Sequence, residues 1–465
     1  MFTFTGFRDG HCHPLFASRE GVGPSVDECQ TPQQLLDVIT AFLEENPGTE
    51  WLDCGSFDAE FATRHQLTRE LLDTVPTGIP IVVHAADHHS IWVNSAALNV
   101  AGFDQLAPSL PHASFDVDAN GRPTGIVREW DAMSLIYAHQ PAPAMADDLA
   151  ALERAQERLL SNGIVAVQEA WIDPGMPEVY LEAVAREQLK MRVNLAPRID
   201  QNDWRSSLSF AKSTRSSVRA SNSELLTCNT VKVFIDGVFG SETALLERPY
   251  CGGGHGSALW NEAELLEMAL AADSAGFQLH FHALGDAAVS MALAAVEHLE
   301  LCNGWVDRRP VIAHAELISQ PDFARLRALG VVVCQQPVWA EPADATSLVA
   351  AIGQERVDAL YPIASLTAAG VSLSFGSDWP VSDPNPLSGL AAATGNRSNA
   401  SQVISRSQAL AAYSTGTAFQ LGQETQIFTD EVVLSADPTD PATDLSTIRV
   451  LNVKVAGRPV WTASH

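Results

Sequence analysis

Lysine is scarce in this sequence. Only four of the 465 residues are lysine, Lys190, Lys212, Lys232 and Lys454, and Lys+Arg total 28 against 56 Asp+Glu. The formal net charge of -28 predicts repulsion from nucleic acid and from anionic membrane surfaces, so we expect neither as a partner. A lysine inside an apolar strand is therefore conspicuous in this chain.

Cysteine pairs and long apolar runs are also missing. The seven cysteines are odd in number and form no Cys-x-x-Cys, which argues against a disulfide framework and against a zinc knuckle. No basic segment followed by an apolar stretch opens the sequence, and no run approaches the roughly 18 apolar residues of a membrane helix. The sequence therefore predicts a soluble protein of the cytoplasm.

The sequence does contain a regular alternation of helical and strand patterns from about residue 145. The predicted strands lie at 2–7, 164–169, 191–196, 230–237, 277–282, 310–314, 331–336 and 371–378. Alternating helices and strands indicate a parallel sheet, and eight strands are typical of a TIM-like (β/α)8 barrel of the α/β class. Residues 104–125, rich in Pro, Asp and Gly, are predicted to form a loop.

Polar residues mark the strand ends of this predicted barrel. His11 and His13 are two positions apart and so share one face of an extended chain. The other candidates are Lys232 in the fourth strand, His282 and His314 at the ends of the fifth and sixth strands, and Asp378 after the eighth. Barrel active sites are built at the C-terminal strand ends, where imidazoles and a carboxylate can bind a divalent metal.

Each of these residues also has a structural interpretation. Lys232 could pair with an acid such as Asp236, the histidines could be hydrogen-bonded core residues, and Asp378 could cap a helix before Pro380. A protonated lysine cannot bind a metal, but a desolvated amine can react with carbon dioxide to give a carbamate that bridges two cations. The joint placement at strand ends favours the metal hypothesis.

The motifs resemble the amidohydrolase superfamily, and more narrowly the branch of N-substituted formamide deformylases (amidohydrolase family 3). They are Asp9-Gly-His11-Cys-His13, Asp87-His88-His89-Ser90-Ile-Trp92-Val-Asn94-Ser95, Lys232-Val-Phe-Ile-Asp236-Gly237, Thr243-Ala244, His282-Ala-Leu-Gly-Asp286, Ala313-His314-Ala-Glu316, Gln335-Gln336-Pro337 and Gly376-Ser-Asp378-Trp-Pro380. The resemblance runs from about residue 6 to 420.

The resemblance implies a set of roles. One or two divalent ions, zinc by expectation, would be bound by His11, His13, His282, His314 and Asp378, with carboxylated Lys232 between them. His89, Trp92 and Asn94 would bind a small-molecule substrate. His280 matches no family position and is predicted to be a hydrogen-bonded neighbour.

The sequence departs from the family pattern in three respects. Gln423-Glu-Thr-Gln-Ile-Phe-Thr-Asp430 stands where the family usually has Gly-Lys-x-Ala-Asp-Leu before the C-terminal strands. His84 and His88 replace an arginine and a glycine that often flank the His89 motif. The family's β-sandwich strands before the first barrel strand are missing, so we expect a barrel at 1–422 with an insertion at about 14–145, and an incomplete β-sandwich appendage at 423–465 without N-terminal partner strands. An unpaired edge predicts either a homodimer or poor solubility.

The function predicted from the sequence is metal-dependent hydrolysis of a carbon–nitrogen bond, with Asp378 as general base and acid. A phosphoester or carboxylester hydrolase on the same metal site is the enzyme alternative, because fold does not fix function. A catalytically silent barrel that binds a metal or a ligand is the other alternative.

Overall fold

A computed structural model describes residues 1–57, 61–86, 88–110, 113–340, 345–395 and 399–463. The chain divides into two compact units. One, which we call the core unit, comprises residues 1–14 and 152–465, and the other, the insertion unit, is Leu15–Ala151. No helix in the described part of the chain combines the length and the apolar character needed to cross a lipid bilayer.

Eight parallel strands organise the core unit, and we number them core strands 1 to 8. They are Phe7–Cys12, Ile164–Ile172, Arg192–Pro197, Thr230–Phe234, Gln278–Ala283, Val311–His314, Val332–Gln335 and Ser372–Phe375. Core strands 1, 2 and 3 form one sheet with the short strand Leu226–Thr227, and core strands 4 to 8 form a second, five-stranded sheet. Most of these residues are buried, as expected for parallel strands covered on both faces.

A single parallel bridge between Arg198 and Lys232 links the two sheets. Core strands 8 and 1 share no ladder in the described residues, but just beyond core strand 8 the Asp378 N–H donates to the His11 carbonyl oxygen at 2.7 Å. The predicted α/β arrangement of eight parallel strands is therefore present, but within the described ranges the strands do not form a closed hydrogen-bonded barrel. The architecture is TIM-barrel-like.

Helices follow most of the core strands. They are Met145–Ser161, Met176–Ala185, Trp204–Ala220, Glu262–Ser274, Asp286–Asn303, Asp322–Ala328, Thr346–Ile352, Gln354–Val357, Ile363–Ala369, Pro386–Thr394, Arg406–Ala411 and Thr417–Gln420, with a π-helical turn at Ala412–Gly416 and 3-10 turns at Pro337–Ala340, Ala400–Gln402, Gln426–Thr429 and Leu445–Thr447. Asn261 caps the helix Glu262–Ser274 by accepting the Ala263 N–H, as short polar side chains do at N-caps. Its apolar residues, among them Leu265 and Met268, are buried in the main core of the unit.

The structure of the appendage shows that two sequence predictions are wrong. It is one four-stranded antiparallel sheet in the order Phe2–Phe4, Glu431–Leu434, Val450–Val455, Arg458–Thr462. The prediction that it lacks an N-terminal partner strand is wrong, because Phe2–Phe4 pairs with Glu431–Leu434. The predicted single strand 2–7 is wrong for the same reason. The chain turns at Gly6, whose φ is 84°, a value that glycine adopts without strain, and core strand 1 begins at Phe7.

The insertion unit has its own mixed sheet. Its strands, in spatial order, are Leu52–Phe57, Ile81–Ala85, Ser90–Val93, Pro123–Arg128 and Ser114–Val117, and its helices are Pro14–Glu20, Pro32–Glu45, Phe61–Arg64, Arg69–Leu72, Ser95–Ala101 and Trp130–Tyr137. The loop predicted at 104–125 is wrong in part, because its last residues form an antiparallel hairpin. The Pro/Asp/Gly composition correctly indicates the turn between the two strands, but it gives no sign of the strands on either side.

A buried charge group joins the appendage to the core strands. The Arg8 guanidinium donates to Asp430 Oδ2 at 2.7 Å, and Arg192 Nε lies 3.1 Å from the same oxygen. Asp430 Oδ1 also accepts the Ala456 N–H at 2.9 Å. The exposed fractions of the Arg8, Asp430 and Arg192 side chains are 0%, 0% and 2%, so this carboxylate neutralises two desolvated cations.

We expect Asp430→Asn to destabilise the core unit strongly, because it leaves two buried guanidinium groups without a counter-charge. Breaking a buried ion pair typically costs about 3–5 kcal/mol. Glu431→Gln is the matched control, since the Glu431 carboxylate forms an exposed ion pair with Lys454 at 2.8 Å and such pairs contribute about 1 kcal/mol or less. Urea denaturation followed by circular dichroism measures both. Equal midpoints for the two variants would contradict the role of Asp430.

Candidate metal centre

The ends of core strands 1 and 8 are held together by the Asp9 carboxylate. Its Oδ1 accepts the His11 N–H at 3.0 Å and the Ser377 N–H at 3.1 Å, and its Oδ2 accepts the Ser377 hydroxyl at 2.6 Å. Gly376 allows this approach, because a Cβ there would stand 2.6 Å from the His11 nitrogen. The strand that carries His11 and the segment that carries Asp378 are thereby fixed against each other.

Side chains from three strand ends converge on one buried point. His11, His314 and Asp378 each offer a ligand atom, and these atoms lie within 4.8 Å of one another. His13 Nε2 lies 2.9 Å from Asp378 Oδ1, and the His282 ring centroid is 4.7 Å from that of His314. The structure thus brings together all the imidazoles that the sequence predicted as ligands, together with the predicted carboxylate.

Backbone strain accompanies the convergence. His314 and Asp378 have φ values of 71° and 55°, in the left-handed region that non-glycine residues rarely adopt. Such conformations cost of order 1–3 kcal/mol and concentrate at functional sites. The fold therefore holds these two side chains in place against a local preference.

Lys232 lies in the same cluster. Its Nζ is 3.2 Å from His11 Nε2 and 4.6 Å from the Phe234 ring centroid. Burial lowers the pKa of Lys232 to about 7, although the Asp378 carboxylate acts in the opposite direction. A substantial share of the amine is then neutral and nucleophilic near neutral pH.

The electrostatics favour the metal-binding states of His11 and Asp378. Burial, with the added effect of the Lys232 charge, holds the pKa of His11 well below its ordinary value. Burial alone would raise the pKa of Asp378, but its hydrogen bond to His13 and the nearby charges of His13, His314 and Lys232 lower it below its ordinary range. Neutral imidazoles and an ionised carboxylate are the states that bind a divalent metal.

Outer partners orient the imidazoles. His314 Nδ1 is 2.9 Å from Gln336 Oε1, and His282 Nε2 is 3.3 Å from the Gly237 carbonyl oxygen. Both oxygens accept, so the lone pair of each neutral ring is on its other nitrogen. Metal-binding histidines are characteristically held in this way, and the nitrogen and carboxylate donors suit zinc and similar ions. The residues present fit a divalent metal.

His280 is a hydrogen-bonded neighbour, as predicted. Its Nε2 lies 2.7 Å from His11 Nδ1, which directs His11 Nε2 toward Lys232 and Asp378. Its own Nδ1 is buried without a hydrogen-bond partner. Because His280 and His282 are two residues apart on core strand 5, one face of that strand supplies both a partner for His11 and an imidazole beside His314.

Sequence reasoning missed Glu169. It lies in core strand 2, with no exposed surface, and its Oε1 is 3.9 Å from His13 Nδ1. The Tyr180 hydroxyl donates to its Oε2. The sequence did contain a signal for Glu169, because this acid is the last residue of the predicted strand 164–169. The histidines were selected by the same argument from strand ends.

The three predicted substrate residues lie in the insertion unit. His89 Nδ1 is 2.8 Å from Glu129 Oε2. Trp92 is fully buried and its indole N–H donates to the Thr68 carbonyl oxygen at 3.1 Å. Asn94 is also buried and caps the helix Ser95–Ala101. Their contact with substrate stays a prediction.

Comparisons with known proteins identify the family of this chain. A sequence model of the amidohydrolase family matches residues 2–460. The chain is 28% identical over 397 residues to the protein LONG AFTER FAR-RED 3 of Arabidopsis thaliana, covering 82% of this chain and 66% of that protein, slightly less than two thirds of its length. It is 25% identical over 480 residues to the N-substituted formamide deformylase of Arthrobacter pascens, covering 97% and 87%.

A solved structure shows the same fold. The crystal structure of an uncharacterized metal-dependent hydrolase from Pyrococcus horikoshii OT3 superposes with a TM-score of 0.74, at 20% identity, over 96% of this chain and 88% of that chain. The family match and the deformylase relative confirm the resemblance that the motifs predicted.

We expect His11→Ala and His314→Ala to lower the content of bound divalent metal, because each removes an imidazole from the convergent cluster. His139→Ala is the matched control, since it removes an exposed imidazole of the insertion unit. Elemental analysis after dialysis measures the metal per chain. Identical metal content in all three variants and the unsubstituted protein would contradict a metal centre at this cluster.

Proposed function

Because this chain belongs to the amidohydrolase family, we propose that it hydrolyses a carbon–nitrogen bond in an amide or formamide-like small molecule, using one or two divalent metal ions. The observation that carries the proposal is the convergence of His11, His314 and Asp378 within 4.8 Å beside the buried amine of Lys232. The residues that would bind metal are His11, His13, Lys232, His282, His314 and Asp378, and zinc is the ion that their donor atoms favour.

A divalent metal bound there would lower the pKa of a water molecule toward neutrality and polarise the substrate carbonyl. Asp378 supplies the proton transfer. Its carboxylate takes a proton from the attacking water and returns it to the leaving nitrogen as the carbon–nitrogen bond breaks. His13, 2.9 Å from Asp378 Oδ1, holds that carboxylate in position.

Lys232 is proposed to be carboxylated. The neutral amine adds to carbon dioxide, a nitrogen–carbon bond forms, and one proton leaves to solvent. The product carries two carboxylate oxygens on a long stem and adds a negative charge to a site rich in imidazole. The low pKa of Lys232, about 7 through burial, supports the step because only the unprotonated amine can react.

The substrate class rests on two further considerations. The deformylase of Arthrobacter pascens acts, by its name, on N-substituted formamides, and its likeness to this chain supports a carbon–nitrogen bond as the target. His89, Trp92 and Asn94 are proposed to contribute to substrate binding through the insertion unit. A cytoplasmic location and a homodimer also remain proposals that rest on the sequence.

A substrate screen tests the proposal and includes the alternatives. Metal-reconstituted protein is assayed against N-substituted formamides, other amides, carboxylesters and phosphoesters. We expect turnover of a formamide or amide. Turnover of esters alone would show that the proposed carbon–nitrogen bond class is wrong. Bound metal without turnover of any compound would favour a catalytically silent barrel.

Asp378→Asn is expected to lower turnover in that assay by at least about a hundredfold, because general acid–base assistance is worth about 10²–10⁴ in rate and an amide cannot accept the proton. Much of the metal should remain bound, since Asn keeps one oxygen ligand. Asp383→Asn, which alters an exposed aspartate paired with Arg158, is the control. Near-normal turnover by Asp378→Asn would refute the proton-transfer role.

Lys232→Ala is expected to abolish turnover, because it removes the carbamate oxygens. A short carboxylate such as propionate should restore part of the activity by occupying the vacated space. Lys212→Ala, at an exposed lysine, is the control. Full turnover by Lys232→Ala without added carboxylate would exclude the carbamate.

A further inference from the structure

The insertion unit contains a second cluster of potential metal ligands that the proposed function does not use. Glu20, His84 and His88 each offer one ligand atom, and these atoms lie within 4.8 Å of one another. Glu20 and His84 are buried, with exposed fractions of 7% and 1%. The two histidines are the residues that replace the arginine and glycine typical of the resembled family.

The His88 ring lies between two oxygen atoms that can only accept hydrogen bonds. His88 Nδ1 is 3.1 Å from the Ala86 carbonyl oxygen, so Nδ1 carries a proton and donates. The other nitrogen of a neutral ring, Nε2, then has a lone pair, and it lies 2.8 Å from Glu20 Oε2. A lone pair and a carboxylate oxygen at that distance require a cation between them, either a proton or a metal ion.

The surroundings of His84 favour a divalent cation. His84 Nε2 is 2.8 Å from Asp53 Oδ1 and 3.1 Å from the Tyr137 hydroxyl. Burial lowers the pKa of His84, but the charges of Asp53 and Glu20 raise it to about 9, and the same two negative charges would stabilise a bound dication. Asp53 orients the His84 ring, as carboxylates commonly do for metal-binding histidines.

The backbone holds the cluster in a conformation that is otherwise unfavourable. His88 has a φ of 55°, in the left-handed region, where glycine is free of strain and other residues are not. An imidazole at this position therefore costs conformational energy, and its contact with Glu20 offsets that cost.

We propose that Glu20, His84 and His88 bind a divalent transition-metal ion of the zinc class within the insertion unit. Two imidazoles and one carboxylate form an established zinc ligand set. The ligand atoms of a tetrahedral zinc ion stand about 3.4 Å apart when each bond is about 2.1 Å, so shifts of an ångström or so complete the site. Binding of the ion to the folded unit alone would raise the stability of that unit.

The test uses the full chain with His11→Ala and His314→Ala, which remove two ligands of the main cluster. The protein is stripped with a chelator and titrated with Co²⁺, whose visible absorption reports nitrogen and oxygen ligands, and with Zn²⁺, followed by elemental analysis. We expect about one equivalent of either ion to bind and to raise the melting temperature. Adding Glu20→Gln or His88→Ala should abolish that equivalent, whereas adding the exposed-site control His139→Ala should retain it.

If the doubly substituted chain does not fold, the same variants are compared in the chain whose main cluster is intact. There, Glu20→Gln and His88→Ala should each lower the zinc content by about one equivalent relative to His139→Ala. Equal zinc content in these three variants, or a stripped protein whose melting temperature zinc does not raise, overturns the proposal and identifies a proton as the bridging cation.

Discussion

The candidate metal centre depends on one carboxylate, that of Asp9. Its two oxygens bind both core strand 1 and the segment after core strand 8. The interaction between His13 and Asp378 spans 365 positions of sequence, so nothing local brings those side chains together. A buried carboxylate that accepts three hydrogen bonds fixes a relative position far more tightly than apolar packing alone, because hydrogen bonds are directional. The positions of the other ligands are set by sheet register, with Ala283 paired to His314 across core strands 5 and 6.

Residues at strand ends could be predicted from the sequence because the pattern that marks them involves only neighbouring residues. An apolar run that ends in a histidine predicts where that side chain lies once the strand order is known, and this argument located His282 and His314 correctly. The hydrogen-bond partners of the candidate ligands were harder to predict from the sequence. Gln336 was visible as part of a motif, but its bond to His314 depends on how two neighbouring strands end, and this alignment is not encoded by periodicity. His280 was correctly predicted as a neighbour, although its partner, His11, was not.

The errors concern contacts between distant parts of the chain. Phe2–Phe4 and core strand 1 together looked like one strand, since the pattern gives no sign that the residues before Gly6 pair with Glu431–Leu434. In the insertion unit, His84 and His88 were noted only as departures from a family pattern. Glu20 lies 2.8 Å from His88, and sequence patterns could not predict this contact because the carboxylate is 68 positions earlier in the chain.

The pairing of Phe2–Phe4 with Glu431–Leu434 has a consequence for synthesis on the ribosome. The first of these strands emerges early and its partner emerges only after more than nine tenths of the 465 residues have been made. Core strand 1 likewise meets Asp430 late, so Arg8 stays without its counter-charge during most of translation. The insertion unit has apolar clusters of its own and can fold first, as compact units generally do. The candidate metal centre is therefore completed only after this long-range closure, which is intrinsically slow.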